Sequence, residues 1–192
     1  MKKLIGLKKI KTAVFISGRG TNLKNLIKFS KKKNSPILIN LIISNKKMAT
    51  GLKYAKKYNI EKKVINFKNE RIAERKIFYF LDKKKISFIC LAGFMKILSK
   101  NLLKKFKGKI INIHPSLLPK YKGLSTHERV ISNNEKFSGC TVHYVTSKLD
   151  SGKIIMKKKV KISKNETAET LEKKILKEEY KLYPRAIIKI FG

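Results

Sequence analysis

The sequence predicts an α/β fold: a single domain built on a doubly wound, mostly parallel, twisted sheet. Two observations carry that prediction. Short apolar runs alternate with amphipathic stretches of helical period, and turns containing glycine, asparagine or proline separate them. The length agrees, because 192 residues, 42% hydrophobic and 31% charged, match one domain able to bury its own core.

The elements follow in order. Residues 1–11 form a lysine-rich lead predicted to be frayed. Residues 12–16 read as a buried strand, and the glycine turn after it opens a helix with Leu23, Leu26 and Ile27 on one face. A second strand at 37–43 precedes a helical stretch with Leu52 and Ala55 in register. A short strand near 64–67 leads into a helix over 69–85 carrying Ile72, Ile77, Phe80 and Leu81. The run 87–92 is apolar almost throughout, as a strand covered on both faces must be. Beyond Gly108 come a strand at 109–113, a proline-bearing loop at 115–123 and a helix from about residue 125. Strands at 139–145 and 154–160 and a helix over 167–181 complete the pattern. No repeat or low-complexity linker divides residues 1–192.

The formal charge of +36 invites a nucleic-acid reading, since basic surfaces bind phosphate by releasing counterions. The distribution opposes it. Of the 48 basic residues only Arg19, Arg71, Arg75, Arg129 and Arg185 are arginine, the side chain that planar phosphate and base recognition favours. The lysines lie along the whole chain, together with many isoleucines and asparagines and no tryptophan. They read as a solvated coat, so no specific nucleic-acid partner is expected. Cys90 and Cys140 stand apart in apolar stretches, which indicates neither a disulfide framework nor a zinc ribbon. Lys8 and Lys9 interrupt the start that a signal peptide would need, and the most apolar run is too short to span a bilayer. A cytoplasmic protein with no membrane partner is expected.

Ser17-Gly18-Arg19-Gly20-Thr21-Asn22-Leu23 joins the first strand to the first helix, where free helix N–H groups attract an anion. A dinucleotide loop would want a third glycine at Leu23 and an acid after the second strand, where Ser44-Asn45-Lys46 stands instead. The turn is either a phosphate site or a plain helix start capped by Thr21 or Asn22.

Asn112-Ile113-His114-Pro115 places an amide and an imidazole two residues apart on a strand, hence on one face, at the carboxyl end where open α/β sheets bind ligands. An amide can polarise a carbonyl, and a protonated imidazole can donate to the oxyanion formed on attack. A histidine so used needs a carboxylate partner, and the chain has only two aspartates, Asp82 and Asp150. Asp82 reads as a surface helix charge. Asp150, in a loop between two strands, is the partner by elimination. His127 and His143 read as structural or supporting rather than as metal ligands, and no metal is expected.

These segments, with Leu91-Ala92-Gly93-Phe94-Met95-Lys96-Ile97-Leu98, Pro115-Ser116-Leu117-Leu118-Pro119 and the stretch from Val142-His143 to Asp150-Ser151-Gly152, resemble the phosphoribosylglycinamide formyltransferases, folate-dependent enzymes of purine biosynthesis. The resemblance runs from about Thr12 to Phe191 with the motifs in order. It implies a Rossmann-like formyltransferase domain that passes the formyl group of 10-formyltetrahydrofolate to the amine of glycinamide ribonucleotide. By the same resemblance, Asn112 and His114 face the formyl oxygen, and Asp150 supports the imidazole and the proton transfer. Gly20, Thr21 and Asn22 hold the ribonucleotide phosphate region, and Glu179 contacts the glycinamide. Met95, Lys96, Ile97 and Leu98, with Thr146, Ser147, Lys148, Leu149 and Asp150, line the folate pocket. Arg71 stands, with a one-residue shift, near the place of an arginine that meets the folate glutamate tail. Small-molecule partners and a monomer or homodimer are expected. Methionyl-tRNA formyltransferases share the Asn-x-His, Ser-Leu-Leu-Pro and Asp constellation, but they carry a second C-terminal domain, and Gly123-Leu124-Ser125-Thr126-His127 is similar to the ribonucleotide enzymes. A basic nucleic-acid-binding protein is the alternative from another class; it would need clustered basic residues and stacking aromatics.

Overall fold

The computed structural model describes residues 8–192. Seven strands form one mixed sheet in the order β3-β2-β1-β4-β5-β6-β7, with β1 Ile10–Ile16, β2 Ile37–Ser44, β3 Glu61–Val64, β4 Phe88–Leu91, β5 Lys109–His114, β6 Phe137–Tyr144 and β7 Ile154–Lys161. The helices are α1 Thr21–Ser30, α2 Lys53–Tyr58, α3 Glu70–Lys83, α4 Lys100–Lys105, α5 Thr126–Ser132 and α6 Ala168–Phe191. This is the predicted α/β class. The chain divides into two compact units, one reaching to Ile110 and including Ile188–Gly192, the other Ile111–Ile187.

In the first unit β1 pairs in parallel with β2 and with β4, and β2 pairs in parallel with β3. The apolar runs that predicted β1, β2 and β4 are its core: Ala13, Val14, Phe15 and Ile16, Leu41, Ile42 and Ile43, and Phe88, Ile89 and Cys90 are fully shielded from solvent. Leu23, Leu26 and Ile27 are likewise buried, so the helical period of α1 faces inward as its spacing demands. β1 begins at Ile10, two residues before the predicted start; Ile10 and Lys11 pair with Ile37 and Leu38 rather than fraying. Of the predicted lead, residues 1–7 lie outside the described residues.

Three elements differ more widely from the sequence reading. β3 occupies Glu61–Val64 instead of 64–67. Its charged side chains concealed it: it pairs in the described sheet only with β2, and Glu61 is ion-paired with Lys63 at 3.1 Å and with Lys84. The short α4 had no apolar period to announce it. Its start is fixed by Ser99, whose hydroxyl accepts from the Leu102 N–H at 3.1 Å. Finally, α6 continues through Pro184 to Phe191, ten residues beyond its predicted end.

In the second unit β5, β6 and β7 are antiparallel neighbours. The register sets Asn112 against His143 and His114 against Thr141. Tyr183 of α6 is completely buried, and its hydroxyl donates to the Ile111 carbonyl at 3.2 Å.

Candidate active site

The second unit gathers its polar chemistry at the end of β5. His114 and Asp150 are nearly enclosed, with side-chain exposures of 6% and 8%. His114 Nδ1 lies 3.3 Å from Asp150 Oδ2, and the Gly123 N–H donates to that same oxygen at 2.9 Å. Asp150 Oδ1 faces Asn112 Nδ2 at 3.5 Å and His143 Nε2 at 3.6 Å. Asn112 Nδ2 also lies 3.3 Å from His143 Nε2. His143 Nδ1 is 2.8 Å from the Tyr144 carbonyl, an acceptor only, so this nitrogen carries a proton. Asn112, His114 and Asp150 are thus brought together on one face, as their strand spacing required of the first two.

Local folding delivers Asp150. It stands at φ 43° in the β6–β7 loop, and the following turn closes tightly at Gly152, where a Cβ would meet the Tyr144 carbonyl oxygen at 1.7 Å. Only glycine fits there. The 115–123 loop is held from β6 and β7: Leu118 N–H donates to Thr141 Oγ1 at 3.1 Å, Thr141 Oγ1 donates to the Ser116 carbonyl at 2.7 Å, and Lys157 Nζ donates to the Leu118 carbonyl.

Electrostatics follow from enclosure. Burial pushes the His114 imidazole below its ordinary value, against the opposing pull of the Tyr121 carbonyl and the Asp150 carboxylate. The ring of the free protein is therefore held neutral at pH 7. For Asp150 burial acts in the opposite direction, raising the carboxyl. The facing His143 ring and then the Gly123 N–H outweigh it, so Asp150 stays below the usual carboxylate value and is ionised. Glu179 is 6% exposed, buried on α6 rather than solvated beside Glu178. The nearby Cys140 thiol is pushed up by burial and then by Glu179 and Glu178, so it stays protonated. In the 146–149 segment Thr146, Lys148 and Leu149 are exposed and Ser147 is half-buried. His143, read as structural or supporting, stands beside Asn112 and Asp150, whereas Tyr121, whose contribution is a backbone carbonyl, was missed.

The first unit holds the other expected residues. Gly20 caps α1 at φ 66° with no side-chain capping bond, so neither Thr21 nor Asn22 serves as the cap. The Gly20 conformation has a packing cause as well. A Cβ on it would sit 2.7 Å from Gly51 Cα, and the Gly51 N–H donates to the Gly18 carbonyl at 3.0 Å. The start of α1 therefore presents backbone N–H groups without a side-chain cap, a geometry that suits an anion. Ser17 ties three loops together: its hydroxyl donates to Asn45 Oδ1 at 2.5 Å and accepts from the Met95 N–H at 2.7 Å, while its own N–H donates to the Gly93 carbonyl at 2.9 Å. Met95 and Ile97 are about half exposed, Lys96 is exposed and Leu98 is buried. This segment is anchored behind by the buried Glu74, which accepts from Ser99 N–H at 3.1 Å and Ser99 Oγ at 2.7 Å. Arg71 is exposed in the first turn of α3, which Asn69 caps through the Ile72 N–H at 3.0 Å. Among the described residues no three His, Cys, Asp or Glu side chains are grouped to hold a metal ion, and no helix is long and apolar enough to cross a membrane.

A half-buried amide beside an enclosed imidazole and carboxylate at a strand's carboxyl end can serve group transfer at a carbonyl, and comparisons with known proteins bear on that chemistry. The formyl transferase family model matches residues 10–187, and the chain belongs to that family. Within it, the chain is similar to the phosphoribosylglycinamide formyltransferase of Haemophilus influenzae, with 41% identity covering 92% of this chain and 85% of that protein. It is 40% identical to part of the human trifunctional purine biosynthetic protein adenosine-3, over 94% of this chain but only 18% of that protein's length. The crystal structure of phosphoribosylglycinamide formyltransferase from Brucella melitensis superposes with a TM-score of 0.90 at 39% identity, covering 96% of this chain and 97% of that one. Glycinamide ribonucleotide transformylase 1 from Geobacillus kaustophilus gives 0.91 at 31% identity, covering 96% and 100%.

Proposed function

We propose that the protein transfers the formyl group of 10-formyltetrahydrofolate to the glycine amine of glycinamide ribonucleotide, giving the N-formyl ribonucleotide and tetrahydrofolate in purine (IMP) biosynthesis. The observation that carries this reading is the clustering of Asn112 with the enclosed His114 and Asp150 in a chain matched to formyl transferases from residue 10 to 187. The two compact units serve as one formyltransferase domain, acting in the cytoplasm as a monomer or homodimer, with small molecules rather than nucleic acid as partners.

In the reaction the neutral amine attacks the formyl carbon and its carbonyl oxygen becomes an oxyanion. A proton leaves the amine nitrogen, one reaches the folate nitrogen, and the bond from that nitrogen to the formyl carbon breaks. Asn112 and His114 serve the formyl oxygen. Negative charge developing there raises the proton affinity of the neutral His114 ring, and the ionised Asp150 stabilises the resulting imidazolium. Both His114 nitrogens face protein acceptors in the free protein, so a substrate oxygen takes one of those places on binding. Gly20, Thr21 and Asn22 receive the ribonucleotide phosphate at the uncapped start of α1. The buried Glu179 accepts from the glycinamide. Met95, Lys96, Ile97, Leu98, Thr146, Ser147, Lys148 and Leu149 contact the folate, and Arg71 meets its anionic tail.

The test is a transfer assay with formyl-labelled donor and two acceptors, the ribonucleotide and initiator methionyl-tRNA. Label on the ribonucleotide is expected. Label on the tRNA alone overturns the reading.

A further inference from the structure

His114 Nε2 lies 2.8 Å from the carbonyl oxygen of Tyr121. Both ring nitrogens face acceptors, but only the contact to the Tyr121 carbonyl has hydrogen-bond length, so the proton of the neutral ring is assigned to Nε2, and Nδ1, 3.3 Å from Asp150, is left to take up a second. The position of that backbone carbonyl, set against the pull of Asp150, therefore bears on which ring nitrogen is the base. That carbonyl belongs to a residue in the left-handed region, Tyr121 at φ 55°, a conformation that a non-glycine residue keeps only when its surroundings impose it.

The side chain of Tyr121 supplies the constraint. Its hydroxyl donates to Glu135 Oε1 at 2.9 Å and accepts from Asn133 Nδ2 at 2.9 Å, and the Arg129 guanidinium lies over its ring, 5.4 Å from the centroid. Glu135 Oε1 also receives Lys120 Nζ at 2.8 Å, from the residue before Tyr121. The same carboxylate thus grips the loop at two consecutive side chains. Glu135 follows α5 and precedes β6, outside the strand-end cluster, and its own carboxyl is held below the usual range by Lys120 and then by Tyr121.

We infer that Glu135 is a positioning residue for His114: by holding the Tyr121 hydroxyl it fixes the Tyr121 carbonyl and so keeps the proton on Nε2 and Nδ1 turned to Asp150. The activity arm of its test rests on the proposed formyl transfer; the tautomer arm does not.

The test compares wild-type protein with Glu135→Ala, Glu135→Gln and Tyr121→Phe, each checked for folding by thermal melting. Ring-nitrogen NMR of His114 in the free protein reads the tautomer, and steady-state transfer to the ribonucleotide reads kcat and KM. In wild type the Nε2–H tautomer is expected alone. Glu135→Ala and Tyr121→Phe are expected to show a tautomer mixture and a kcat lowered on the order of tenfold, with KM for both substrates little changed. Glu135→Gln, which keeps an oxygen for the Tyr121 hydroxyl while losing the charge, is expected to restore both readouts. An unchanged tautomer in folded Glu135→Ala or Tyr121→Phe overturns the inference, and so does a Glu135→Gln variant that behaves like Glu135→Ala. If wild type transfers no formyl group, the functional reading fails, while the NMR arm still decides the role of Glu135.

Discussion

His114 and Asp150 each resist protonation more in the folded chain than in the unfolded one. His114 is held below its ordinary 6.5 by burial, and Asp150 below 3.8 by the partners that overcome its burial. The sign is the same for both. Below an ordinary value the unfolded chain binds more protons than the folded one, so acidification removes stability. The His114 contribution is present above about pH 6.5 and fades as pH falls toward its lower folded value, and that of Asp150 is lost below about pH 3.8. His127, also lowered by burial, acts in the same direction. Thermal melts from pH 7.5 to 5 are expected to show a falling Tm, and His114→Gln is expected to flatten part of that slope. An identical slope in the variant would count against a buried neutral His114. At this scale the sequence was informative where residue scarcity did the work. With two aspartates and an Asn-x-His pair on a strand, Asp150 could be picked out by elimination. His143 could be read as structural or supporting but not tied to Asn112, because that pairing is set by cross-strand register, and Tyr121 could not be picked out at all, because it enters through a main-chain carbonyl that any residue possesses.

At the scale of elements, packing rather than local preference decided what was legible. The buried strands and the inward face of α1 announced themselves by apolar period; on α3 the predicted Ile77 and Leu81 are buried, but Ile72 is exposed and Phe80 only half-buried, because Ala73 and Glu74 complete the inward face. β3 did not announce itself, since a strand reading Glu61-Lys62-Lys63-Val64 resembles a surface turn, and α4 is too short to show a period. The turn before α1 looked like a ligand loop from its glycines. Part of the requirement at Gly20 is instead the backbone contact with Gly51. Gly20→Ala must place a Cβ into that contact at positive φ, a conformation costing about 1–2 kcal/mol for a residue with a Cβ before the clash is counted. Urea unfolding is expected to show a loss of at least that size, with KM for the ribonucleotide raised. A variant of wild-type stability and unchanged KM would show that the turn tolerates a side chain and that its glycine serves neither packing nor anion.

For the whole molecule, the charge of +36 poses the question of polyanion binding. The aromatic rings give part of the answer. Lys159 Nζ lies 3.7 Å from the centroid of Phe137, Lys63 lies 4.6 Å from that of Phe80, and Lys31 lies 4.8 Å from that of Tyr58. Ring faces covered by lysine are not available for stacking bases. On the proposed function, the coat is expected to act as a diffuse positive field that speeds the approach of the anionic substrates. Raising salt from about 50 to 200 mM is therefore expected to lower kcat/KM and leave kcat nearly unchanged. A salt-independent kcat/KM would assign the coat no part in substrate capture.

The most direct measurement is the rate of formyl transfer to glycinamide ribonucleotide by wild type, His114→Ala, Asp150→Asn and the double variant. Each single substitution is expected to lower kcat by a factor on the order of a hundred or more. Because imidazole and carboxylate act as one unit, the double variant is expected to fall little below the slower single. Losses that multiply, or near-normal turnover in either single variant, would contradict a shared role for His114 and Asp150 in the transfer.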